Sequence, residues 1–186
     1  MRRFATHIRV LFACFVAALF IAAPVLAASD VLDKLYVELA DPDNQEWQRA
    51  QSDILREWSR SGSPTMDLLL KRGREAMDAG DPQGALEHLT ALTDHAPDFA
   101  EGWNARATAY FMLGEIGPSV ADIGRTLELN AHHFGALDGL GMILEQLDRD
   151  EAAKAVYRAS LAINPHQDTI RQSLERLDQK TTGTAL

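Results

Sequence analysis

Between residues 66 and 167 the pattern of apolar, small and polar positions repeats every 34 residues without insertion or deletion. Pro97, Ala131 and Pro165 mark the period and divide the stretch into three units, 66–99, 100–133 and 134–167. Small residues hold the eighth place of each unit (Gly73, Ala107, Gly141) and the twentieth (Ala85, Ser119, Ala153). Bulkier ones hold the fourth (Leu69, Trp103, Leu137) and the twenty-fourth (Leu89, Ile123, Tyr157). Small residues let two helices approach, and larger neighbours fill the space beside them. Each unit reads as a helix, a tight turn, a second helix and a loop. The helices are Asp67 to Ala79 and Pro82 to His95, then Ala100 to Leu113 and Pro118 to Leu129, then Phe134 to Leu147 and Glu151 to Ile163. No segment alternates as a strand would, so the chain is all-α, a stacked solenoid in which no unit can bury its apolar face alone.

Helical spacing continues on both sides of the units. Residues 29–65 predict a helix pair: Leu32, Leu35, Tyr36 and Leu39 share one face, which Pro42 ends. Asp43 followed by Glu46 reads as the cap of a second helix whose inward stripe is Trp47, Ala50, Ile54, Leu55 and Trp58. Ser63 and Pro64 then start the first unit. Carrying the period backward places Leu55 in the twenty-fourth column, so the pair reads as a degenerate repeat capping the stack. In residues 168–186, Ile170, Leu174 and Leu177 predict a closing helix and a tail.

Composition changes the picture mainly at the start of the chain. Residues 1–28 have the three parts of an export signal: Arg2, Arg3 and Arg9, an apolar run from Val10 to Val25, and small residues at Ala27 and Ala28 for cleavage. That reading makes the protein exported and periplasmic, with no membrane insertion after cleavage. An uncleaved segment would instead anchor it in the inner membrane. Cys14 is the only cysteine and would leave with the signal, so disulfides and thiolate chemistry are excluded from the mature chain. Removing the three arginines takes the net charge from −9 to −12, which argues against nucleic acid and anionic lipid as partners.

The columns resemble the tetratricopeptide repeat over residues 66–167. The third unit carries Leu140-Gly141, Ala153, Tyr157 and Asn164-Pro165 in the family's places, and the second carries Trp103, Tyr110, Gly114 and Leu127-Glu128-Leu129-Asn130. Departures are Ala131 for Pro, Asp148 for the turn Gly, and Arg72 and Arg106 for the Leu of the seventh column, whose stems can lie along an apolar face with their heads in water. The resemblance implies a right-handed solenoid of antiparallel helix pairs, with the first helices lining a concave groove that takes a peptide or a partner's helix. On that register the groove residues are Leu70, Lys71, Arg74 and Met77, then Asn104, Ala105, Thr108, Phe111 and Met112, then Asp138, Met142 and Glu145. Ala105, Gly135 and Gly139 are small enough to leave room for a ligand backbone. Members that hold a chaperone's C-terminal carboxylate carry Lys, Asn and Arg where this chain has Leu70, Arg74, Ala105, Gly135 and Gly139, so a carboxylate clamp is not expected.

Catalytic and metal chemistry find no support in the residues. His132 and His166 share a column and should lie about 10 Å apart, too far to share a zinc ion. Gly139-Leu140-Gly141 falls inside a helix rather than in a phosphate loop, and no nucleophile elbow or paired acid is present. No catalytic residue, metal ligand or cofactor is therefore expected. The expected role is a non-catalytic adaptor of the bacterial cell envelope that binds a protein or peptide. Two other readings are a chaperone-like assembly factor for cytochromes or outer-membrane proteins, and a self-associating structural protein.

Overall fold

The computed structural model describes residues 23–183, with side chains over 31–180. It comprises nine helices among the described residues: α1 Ala23–Ala40, α2 Trp47–Trp58, α3 Pro64–Asp78, α4 Pro82–His95, α5 Ala100–Met112, α6 Ile116–Leu129, α7 Phe134–Gln146, α8 Asp150–Ile163 and α9 Asp168–Gly183. The arginine-rich start and most of the apolar run lie outside the described residues. α1 runs unbroken through Ala27 and Ala28, where cleavage is expected. No helix among the described residues is long and apolar enough to cross a membrane.

The three units fold as antiparallel pairs, α3 with α4, α5 with α6, and α7 with α8, each packed on the next, and α9 packs on α8. Their twenty-fourth-column residues are the pegs that hold each pair: Leu89, Ile123 and Tyr157 are all buried. A Cβ on Gly73 would meet Leu89 at 2.5 Å, and one on Gly141 would meet the Tyr157 ring at 2.3 Å, so in these two units only glycine lets the helices close. Gly80 and Gly114 end α3 and α5 at φ +77° and +76°, a left-handed turn that glycine enters without strain. In the third unit Asp148 takes the same turn at φ +53°, doing the work of the glycine it replaces.

The seventh-column arginines part company. Arg72 is exposed, as expected. Arg106 is not: its guanidinium reaches Asp122 with two hydrogen bonds of 2.7 and 2.9 Å, donates to Thr93 Oγ1 at 2.7 Å, and lies over the Trp103 ring. The expected packing of the stem holds, but the head is in a salt bridge inside the second unit, and its hydrogen bond to Thr93 ties that unit to the first. Burial alone would weaken the charged form; the bond to Asp122 outweighs it and raises the Arg106 pKa.

The helix pair before the repeats is not stacked as a further repeat. Leu55, which the extended period puts in the peg column, is 42 % exposed. The pair lies instead across the loop edge of the stack, with Leu35, Leu39, Ala50, Ile54 and Trp58 packed on Phe134 and Ile163. The reason lies in two equivalent loops. In each, an asparagine side chain accepts from the backbone two residues on, Asn130 from His132 and Asn164 from His166, at 3.1 Å. This presents the two histidines alike, and Tyr36 stacks on His132 at 4.6 Å while Trp47 stacks on His166 at 4.7 Å. Asn164 also donates to Gln51, His166 Nε2 to the Asp41 carbonyl, and Arg74 to Ser59. α2 thus runs along the stack from its closing end to its first unit. Its expected cap is shifted as well: Asn44, rather than Asp43, accepts from Glu46, and the helix opens at Trp47.

Candidate functional site

The concave side between α5 and α7 holds a cleft of about 240 Å³. Asn104, Thr108 and Phe111 form one wall, and Gly135, Asp138, Gly139 and Met142 form the other. The α7 residues are spaced three and four apart, so they share one face of the helix. Ala107, Ser119, Ile123, Ala136 and Ile143 close the floor. The width comes from the two glycines. A Cβ on Gly139 would reach no closer than 3.7 Å to Ile123, and one on Gly135 no closer than 3.6 Å to His133, whereas Gly141 is filled by Tyr157. Beyond Phe111 and Met142 the cleft continues into a depression walled by Glu145, Tyr157, Ile170, Ser173 and Arg176, so α9 supplies its far end.

The expected groove residues divide sharply. Asn104, Thr108, Phe111, Asp138 and Met142 line one surface, and Glu145 borders its extension. Met142 is 50 % exposed. Leu70 and Ala105 are instead buried between the first two units with Leu89, Leu92 and Ala109, so they are core. Met77 is partly buried against the same cluster. Lys71 is exposed and faces Glu75 on its own helix at 3.6 Å. Met112 is exposed but lies outside the lining of both depressions. The first unit contributes no wall to this cleft: its fifth-column Leu70 turns into the interface with the second unit, and its sixth-column Lys71 stays exposed beside Glu75.

Arg74 has a structural task. It pairs with Glu101, whose other oxygen takes a hydrogen bond from His133 Nε2–H at 2.8 Å. The tautomer follows from geometry, since His133 Nδ1 accepts from the Ala136 N–H and caps α7. Burial by itself would raise the Glu101 pKa, but the His133 hydrogen bond together with the Arg74 charge prevails and holds it below the ordinary range. Asn104 also donates to Glu101, at 3.3 Å.

Asp138 is in a different state. Burial pushes its pKa up to about 6, against the smaller opposing effects of the Ser160 hydroxyl and His133. Ser160 Oγ donates to one oxygen, and the other has no partner among the described residues. Glu145 behaves oppositely: the Arg176 bond lowers its pKa more than burial raises it. The pattern of columns does not reveal Arg176 or Ser160, one from the closing helix and one from a second helix. Nor does it reveal the engagement of the three histidines, although a histidine recurring at one loop column was a legible signal. Among the described residues no three His, Cys, Asp or Glu side chains converge as a metal site requires.

A solenoid of helix pairs with an open inner cleft defines a repeat-built, all-α molecule of the protein-interaction type of architecture. A tetratricopeptide repeat model matches residues 70–117. A TPR repeat-containing protein of Rhizobium etli is 33 % identical over 155 residues, covering 82 % of this chain and 75 % of the relative. The chain belongs to the tetratricopeptide repeat family. A human SGT1 homolog is 33 % identical over 93 residues, half of this chain and a quarter of that protein. Among solved structures, the first TPR of Spaghetti (RPAP3) bound to an HSP90 peptide superposes with a TM-score of 0.62 at 23 % identity, covering 64 % of this chain and 98 % of that one. MamA superposes with a TM-score of 0.60 at 23 % identity, covering 76 % and 85 %.

Proposed function

We propose that this chain is a non-catalytic adaptor that holds a segment of another protein in the cleft between α5 and α7. The observation that carries the reading is selective covering. The leading helix pair closes over the loop edge, yet Phe111 and Met142 remain at the surface beside two glycines that widen the cleft. Adaptable apolar side chains next to free backbone suit an extended peptide or a helix face. The structure of a family member with an HSP90 peptide supports the kind of ligand. It does not extend to that ligand's carboxylate, because Leu70 and Ala105 are core here and Arg74 is spent on Glu101. The arginines and apolar run of the first 28 residues support a partner in the bacterial envelope, reached by export.

A photo-crosslinking residue placed at Thr108 in the full-length chain, in cells, tests the reading. A discrete adduct that disappears in Gly139→Leu is expected. The same adducts from Thr108 and from Glu87, which is exposed on α4, would sink it.

A further inference from the structure

The acids around the cleft are not equally served. Glu101 has Arg74 and His133, Asp122 has both arms of Arg106, and Glu145 has Arg176. Asp138, partly buried among Gly135, Gly139 and Ile123, has one hydroxyl and no cation. The nearby cations are committed elsewhere. Arg176 lies on Glu145 and Arg74 on Glu101, while His133 has both ring nitrogens engaged. A carboxylate taken out of water without a counter-charge is unfavourable, and a ligand that brings the charge relieves it. Gly135 stands one turn before Asp138 and Gly139 directly follows it on the cleft face of α7, so a ligand backbone can pass close to the carboxylate.

We infer that the cleft selects an apolar peptide segment carrying one arginine or lysine, whose cationic head pairs with the open oxygen of Asp138 while its apolar neighbours lie on Phe111 and Met142. The inference rests on the cleft being the binding surface, and it specifies the charge of what binds there. It is opposite in sign to an acidic C-terminal tail, and it accords with a chain whose net charge is −9. The long arm of arginine or lysine suits a carboxylate set in the wall, because the stem stays in apolar contact while the head reaches the oxygen.

Three fluorescein-labelled ten-residue peptides of alanine and leucine, capped at both ends and differing only in a central Arg, Met or Glu, test this by anisotropy with the full-length chain. The Arg peptide should bind about tenfold tighter than the Met peptide, and the Glu peptide weakest of all. Asp138→Asn should bring the Arg peptide to the level of the Met peptide. Gly139→Leu should lose all three, because its side chain enters the cleft. If Gly139→Leu loses binding but the wild type does not distinguish the peptides, the cleft stands and the cation pairing is overturned. If Gly139→Leu binds as the wild type does, the cleft reading itself fails and the inference with it. A dimer of the full chain that Gly139→Leu abolishes and the Arg peptide cannot dissociate would give the cleft to a second copy, and would also overturn it. Circular dichroism of both variants verifies that each loss occurs in a folded protein.

Discussion

Trp58 lies against His133 with their ring centroids 4.3 Å apart and their planes 21° from parallel. Trp58 ends the helix pair that precedes the repeats, and His133 caps the first helix of the third unit. The contact therefore fastens the leading pair to the middle of the stack, and Trp58 Nε1 donates to the Tyr36 hydroxyl at 2.9 Å to hold the pair together as well. Trp58→Ala should remove this stack, the hydrogen bond and the packing on Phe134, at about 3 to 5 kcal/mol. Denaturant unfolding followed by circular dichroism measures it. A change below about 1 kcal/mol would show the leading pair to be loosely held.

Glu101 makes the same junction sensitive to acid. Its folded pKa is depressed, so its contribution is fully present above the ordinary value near 4.5 and is lost as pH falls through the lower folded value. Glu101→Gln should cost about 2 kcal/mol at pH 7, below the range for fully buried pairs because Arg74 is 41 % exposed. The loss should shrink as pH falls below 4.5, where the wild type surrenders the same interaction. Stability curves of both proteins from neutral pH into acid give the test, and parallel curves would rule it out.

The interior of the repeats was legible because its determinants are local and recur. Gly73, Gly141, Ala85 and Tyr157 each meet a partner inside their own helix pair, and that pair's geometry is repeated along the chain. The leading pair was only half legible. Leu32, Leu35, Tyr36 and Leu39 declare an amphipathic helix but not which surface it covers, and the surface is a pair of loops more than 90 residues away, as the Tyr36–His132 and Trp47–His166 stacks show. Arg106 failed for a related reason. Its stem obeys the column, but its head is set by Asp122 and Thr93 on two other helices. In the cleft, Phe111 and Met142 follow from register alone, whereas the isolation of Asp138 depends on where every neighbouring cation has gone.

Asp138 predicts the opposite pH response to Glu101. Its folded pKa is raised from 3.8 to about 6, so the stability it allows is fully present below pH 3.8 and is lost as pH rises through about 6. Asp138→Asn keeps a carbonyl for the Ser160 hydroxyl and removes the charge. It should stabilise the protein by about 2 kcal/mol at pH 7.5 and change little at pH 3.5. Thermal melts at the two values check the sign, and equal effects at both would contradict a raised carboxyl.

Gly139 and Gly141 should respond with opposite signs although they lie in the same helix. Replacing glycine by alanine within a helix gains about 1 kcal/mol of backbone propensity wherever the new methyl has room. At Gly139 the methyl would meet Ile123 at 3.7 Å, an ordinary contact at the edge of the cleft, so Gly139→Ala should raise stability by about that amount. At Gly141 it would fall 2.3 Å from the Tyr157 ring. Tyr157 is buried, and its hydroxyl donates to Glu145, so the ring has little freedom to retreat. Gly141→Ala should then force α7 and α8 apart and cost about 2 to 3 kcal/mol net of the propensity gain. Urea titrations of the two variants settle it, and a stabilised Gly141→Ala would mean that the α7–α8 pair is not held by glycine against tyrosine.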